Sequence, residues 1–156
     1  VSYSPSLLEL MGINIAEDLV NETHQSPEEK LWRYVLINAF EDARIIHSDR
    51  KSSIIKMEAH NWITKEEEDF INICWWAGWD PEQVKTQYLK AVQEKKITFT
   101  QRQVKWIEYY LKYLVLKDEK DKEKRINLRK AMLLARDAVF NSTTALVTSI
   151  ICQAYS

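Results

Sequence analysis

The sequence predicts an all-α fold, a compact multi-helix single domain of about six to eight helices, and three observations carry that prediction. Glycine occurs twice and proline three times in 156 residues, so few positions can serve sharp turns or left-handed backbone. Helix-start signals recur at Ser26-Pro27-Glu28-Glu29, Thr64 with Glu67, Asp80-Pro81-Glu82-Gln83 and Thr100 with Gln103. Apolar residues follow these starts at i, i+3, i+4 and i+7, the period of a helix with one buried face. The chain has no internal repeat and no low-complexity tract.

Residues 1–25 read as an N-terminal arm or short helices. Ser4-Pro5 starts a short helix that ends at Gly12, with Leu7, Leu8, Leu10 and Met11 on its apolar face. Residues 13–25 fit either a second short helix or a docked arm carrying Ile13, Ile15, Leu19 and Val20.

Residues 26–116 read as the helical core. Ser26 is an N-cap, Pro27 takes the first helical position and Glu29 closes a capping box. Leu31, Trp32, Val35, Leu36, Ala39, Phe40 and Ala43 then share one face. The polar stretch His47–Lys51 breaks the pattern, and Ile54, Ile55, Ala59, Trp62 and Ile63 resume it. Thr64 with Glu67 predicts a capping box for the next helix. The acids Glu66 to Glu68 lie at the positive end of its dipole, which explains them without a catalytic role. That helix runs through Phe70, Ile73, Cys74 and Ala77, and Gly78 ends it at C′. Asp80 caps the following helix, with Val84, Tyr88, Ala91 and Val92 inside. Thr100 and Gln103 box the next one and Phe99 staples onto Val104. Its predicted face is Val104, Ile107, Tyr110, Leu111, Leu114 and Val115.

Residues 117–156 read as C-terminal helices, part of the same domain or an assembly extension. Lys117–Arg125 is a mixed-charge linker or a frayed helix start. A helix from Ile126 to Phe140 offers Leu133, Leu134, Ala138 and Phe140 to the core. Asn141-Ser142-Thr143 is a break, and Ala145–Ala154 a final apolar helix.

The formal net charge is −1, unevenly spread. Residues 1–43 carry eight acids and two bases, and residues 101–136 carry eleven bases and five acids. Such asymmetry marks either an anionic partner for the second half, nucleic acid above all, or attraction between the two ends. Cys74 and Cys152 lie too far apart for a metal-spaced pair and read as buried free thiols in a reducing cytosol. No signal peptide and no membrane span is expected, which places the chain in the cytoplasm of a bacterial host cell, or in a virion if it is structural. His24, His47 and His60 have no metal-like spacing, and there is no Gly-rich phosphate loop and no nucleophile-elbow serine. No enzyme activity, cofactor, metal or small-molecule substrate is expected.

The stretch with a functional suggestion is Phe70–Leu89. Cys74, Gly78, Trp79, Asp80 and Val84 stand in the order and spacing of a tight corner: a small residue, the turn glycine, a hydrophobic plug, a cap and an anchor on the second helix. In this the stretch resembles the helix-turn-helix superfamily. It departs from it at Gln87, where a further anchor is expected and Tyr88 stands one place on, and in the acids Asp80 and Glu82 at the leading edge. The resemblance implies double-stranded DNA as a partner, met by Lys85, Thr86 and Lys90 in the major groove. The basic stretch 102–136, with Arg102 and Lys105 in it, is expected to supply phosphate contacts. Trp32, Val35, Leu36, Asp42 and Ala43, followed by Asp69 to Val84, are also similar to a group of small bacteriophage and bacterial proteins over Glu28–Leu89. That similarity implies a phage setting and no activity.

Trp75, Trp76 and Trp79 fall within five residues on different faces. One small core has little room for all three, so they are candidate interface residues. Trp106, Tyr109, Tyr110 and Tyr113 lie among Arg102, Lys105 and Lys112, a mixture that suits nucleic acid or lysine stems along a tyrosine stripe. Two functions follow. One is a DNA-associated, non-enzymatic protein, a transcriptional regulator or packaging accessory. The other is a virion structural or protein-binding component, a homo-oligomer or bound to another protein, with the tryptophans and apolar ends as subunit interfaces.

Overall fold

Cap chemistry appears where the sequence placed it at three of four helix starts. The computed structural model describes residues 5–20, 26–65 and 67–141. In them eight helices follow one another: α1 (Pro5–Met11), α2 (Ile13–Val20), α3 (Pro27–Ala43), α4 (Arg50–Thr64), α5 (Glu68–Trp76), α6 (Pro81–Gln93), α7 (Gln101–Asp118) and α8 (Lys122–Asn141). The fold class is all-α. Ser26 Oγ accepts from the Glu29 N–H at 3.1 Å and Asp80 Oδ1 from the Glu82 N–H at 2.9 Å. Thr100 and Gln103 make the reciprocal box, at 3.1 and 2.9 Å. The fourth start differs. Thr64 is the last residue of α4, where its hydroxyl donates to the His60 carbonyl at 2.8 Å, and α5 opens from Glu67 with no side-chain cap. A threonine inside a helix satisfies itself on the i−4 carbonyl, which competes with capping. Asn141, expected to open a break, is the last residue of α8. Ser142 and Thr143, the expected final helix, His24 and Cys152 lie outside the described residues.

Two helix ends are closed by the same device. At Gly78, φ is +82°, the Trp79 N–H donates to the Cys74 carbonyl at 2.9 Å and the Gly78 N–H to that of Trp75 at 3.0 Å. This is a Schellman motif, and its left-handed residue is naturally glycine. At the end of α6 the same bonds run from Lys96 to Ala91 and from Lys95 to Val92, but the left-handed residue is Lys95, φ +62°. A side chain in that conformation is strained. Lys95→Gly is therefore expected to raise stability by roughly 0.5–1 kcal/mol in a urea titration.

The chain divides into two units. The first gathers α1, α2 and α3 through Arg44 with Glu58–Thr98; the second gathers Ile45–Met57 with α7 and α8. The boundary falls within α4. The first unit holds a continuous core that includes Leu10, Met11, Ile15, Leu36, Phe40, Ile63, Phe70, Cys74, Trp79, Val84 and Tyr88. Residues 13–20 take the helical option, and Ile15 and Leu19 seal into this core. A polar pair lies within it: the Tyr88 hydroxyl and His60 Nδ1 are hydrogen-bonded at 2.7 Å, both fully buried.

Burial, with the Asp80 carboxylate as a lesser cause, pushes the Cys74 thiol up to about 12. The folded protein thus binds the thiol proton more tightly than the unfolded chain does. This stabilises fully below about pH 9 and is lost as pH rises toward 12, up to roughly 4 kcal/mol by linkage. Cys74→Ala should flatten the alkaline limb of the stability–pH curve relative to the parent. In the native state Cys74 should resist thiol reagents that label it at once in urea.

In the second unit the polar hub is Gln103, fully buried. Its Oε1 accepts from the Thr100 N–H at 2.9 Å and from Lys56 Nζ at 3.0 Å. Its Nε2 donates to the carbonyls of Ile45 and His47, both at 2.9 Å. Lys56, also buried, lies over the Phe99 ring at 4.8 Å. After α7 the chain turns through residues 119–121. The Arg125 guanidinium donates to the carbonyls of Leu116 and Glu119, closing α7 and setting the start of α8.

Several predicted faces are rotated. On α3, Arg33 and Ile37 are inside and Leu31 is outside. On α7, Tyr109 is buried and Val115 exposed, and on α8 Ala135 is buried while Leu133 and Leu134 are exposed. An apolar count places Leu133 and Leu134 inside, but packing of α7 on α8 turns Leu128, Met132 and Ala135 inward instead. The side chains of Ala138 and Phe140 lie outside the described residues.

Candidate interaction surfaces

The corner between α5 and α6 is built around an arginine that periodicity did not flag. Arg33 Nε, buried, donates to the carbonyl of Ala77, the C-cap of α5, at 2.8 Å. Its guanidinium lies over the Trp79 ring at 4.8 Å, and Glu29 stands at 4.0 Å. Trp79 Nε1 donates to Asp18 of α2 at 3.1 Å. Trp79, a candidate interface residue, is therefore a core residue here, at 4% exposure, and plugs the corner. Val84 and Tyr88 anchor α6 from below, both buried. Gln87 sits half-buried against Gly12 and reaches the Leu10 carbonyl at 3.4 Å.

The solvent side of α6 presents Glu82, Thr86 and Lys90 at i, i+4 and i+8, beside Gln83 and Gln93. Lys85 is half-buried. Beyond the helix, Lys96 is held by Glu9 at 3.3 Å and Glu94 at 3.1 Å. Lys85, Thr86 and Lys90 belong to the first unit, and Arg102 and Lys105 to the second. Arg102 is exposed, whereas Lys105 is half-buried and paired with Glu108 at 3.5 Å.

The other two tryptophans face outward. Trp75 is 59% exposed and Trp76 51%. Trp76 rests on the half-buried Trp32 of α3, ring centroids 4.8 Å apart. Val35, Leu31 and Tyr34 continue from Trp32 around the solvent side of α3, with Leu31 and Tyr34 more than half exposed. An aromatic band thus runs from α5 onto α3. Packing against α3 fixes one edge of Trp76, so the band is a preformed surface.

Charge segregates between the units as it does along the sequence. The described residues of the first carry fourteen acids and eight bases, a net of −6; those of the second carry fourteen bases and seven acids, a net of +7. Among the described residues no group of three or more His, Cys, Asp or Glu could hold a metal ion, and no helix is long and apolar enough to cross a membrane.

No family model, curated protein or solved structure matches the chain.

Proposed function

We propose that this is a non-enzymatic protein-binding component of an assembly, docking through the aromatic band of α3 and α5. The observation that carries this reading is the exposed Trp76 seated on Trp32 of α3, with Trp75, Leu31 and Tyr34 also exposed on the same two helices. Monomers do not commonly expose large contiguous apolar patches, and Trp and Tyr are the residues most enriched at interface hot spots. The resemblance of Glu28–Leu89 to small phage proteins suits a virion or packaging accessory as the setting. The test is photo-cross-linking in cells. An amino acid carrying a photoreactive group at position 31 or 34 should give discrete protein adducts that Trp75→Ala/Trp76→Ala abolishes. The same group at position 95 serves as control. Equal labelling at all three positions overturns the reading.

The net charge of the second unit favours a second reading, association with DNA. Its phosphate contacts would come from exposed bases such as Arg102, and α6, in an acidic unit and led by Glu82, would contribute little. Anisotropy of a labelled duplex titrated at several salt concentrations decides it. Affinity falling linearly with salt on logarithmic axes supports DNA, and no binding at low salt removes it.

A further inference from the structure

We infer that the partner of the aromatic band is the solvent face of α8 on a second copy of this chain, joined head to tail. This rests on the reading of the band as a docking surface and names its occupant. The outer side of α8 carries two parallel rows at seven-residue spacing: Lys122, Arg129 and Arg136, and beside them Ile126 and Leu133. All five are exposed, as are Leu134 and Lys130. Six bases stand against two acids, Glu123 and Asp137, along the helix. An apolar row flanked by a charged row at heptad spacing is the form in which one helix meets another of opposite charge.

The aromatic band offers the complementary surface. Glu28 precedes Leu31 and Trp32 by one turn of α3. Glu68 lies on the same row of α5 as Trp76, two turns earlier, and Asp80 and Glu82 follow across the corner. Lys30 stands one turn before Tyr34, so the acids gather on the Trp32–Trp76 side of the band, and the apolar groups there match apolar groups amid bases on the other unit. Like charges disfavour the two-fold alternatives, in which band meets band or α8 meets α8. Two different patches joined in this way make a heterologous contact, which propagates into a ring or an open chain.

A mixing experiment on full-length chains separates the outcomes. The Trp75→Ala/Trp76→Ala variant retains the α8 face, and the Arg129→Glu/Arg136→Glu variant retains the band. All four residues are exposed, so circular dichroism should confirm that both variants fold. By light scattering at low salt, the parent should run above monomer mass and return to it in high salt. Each variant alone should be monomeric, and an equimolar mixture should double in mass and grow no further. A parent that stays monomeric at high micromolar concentration overturns the inference, as does a mixture that stays monomeric. Self-association of the arginine variant alone overturns it in favour of band-to-band pairing. Cross-links from position 31 to a different protein, with a monomeric parent, leave the docking surface standing and remove the second copy as its occupant.

Discussion

Arg33→Met should lower stability by roughly 2–4 kcal/mol, among the largest effects of any single change outside the apolar core. The guanidinium donates to the Ala77 carbonyl at the point where α5 stops, and it covers the Trp79 ring. Methionine fills much of the space yet leaves a buried carbonyl without its donor. Lysine keeps the charge but loses the planar fork that bonds and stacks at once, so Arg33→Lys should fall between the two. In a chain of this size the Met variant should melt roughly 5–15 °C lower, with an unchanged urea m-value. A cost within roughly 0.5 kcal/mol of zero would show that the Schellman turn holds the corner unaided. The consequence reaches the proposed docking surface, because Trp32 is the immediate neighbour of Arg33 on α3 and Trp76 ends the helix that Arg33 closes.

Gln103→Met should cost about 3 kcal/mol in the second unit, and Gln103→Ala little more. One amide meets the Thr100 N–H, Lys56 Nζ and the carbonyls of Ile45 and His47, so both its ends are used. Methionine preserves volume and removes all four bonds; alanine removes volume as well. If the hydrogen bonds dominate, the two variants fall close together. A Met variant near the parent with a badly destabilised Ala variant would assign the role to packing instead. Chemical denaturation of the three proteins side by side measures this. Amide exchange in Ile45–Met57 should quicken in both variants, since three of the lost bonds tie that segment to α7.

Much of the fold was legible because its determinants are local. Ser26, Asp80 and Thr100 cap within three residues of themselves, and Gly78 closes α5 within four. Local chemistry of that kind reads directly from sequence. Thr64 failed as a cap because a second local option, the His60 carbonyl, was equally near. The candidate surface was half legible. A cluster of tryptophans too large for one small core was visible, and two of its three members do face solvent.

The sequence by itself determined the helical class, the three cap-set starts, the glycine corner and the drift from an acidic to a basic end. The tertiary structure decided which polar groups go inside. Arg33 is buried because Ala77, 44 residues away, offers a carbonyl, and Gln103 because Ile45 and Lys56 lie 58 and 47 residues back. Helical periodicity treats such residues as solvent-facing, so it rotates α3 and α7 away from their true inner sides. The same distant partners sort the tryptophans: Asp18 and Arg33 take Trp79 into the core, while Trp76 finds Trp32 at the surface and leaves Trp75 outside. A buried polar group requires a specific partner, and nothing local in the chain says where that partner will be.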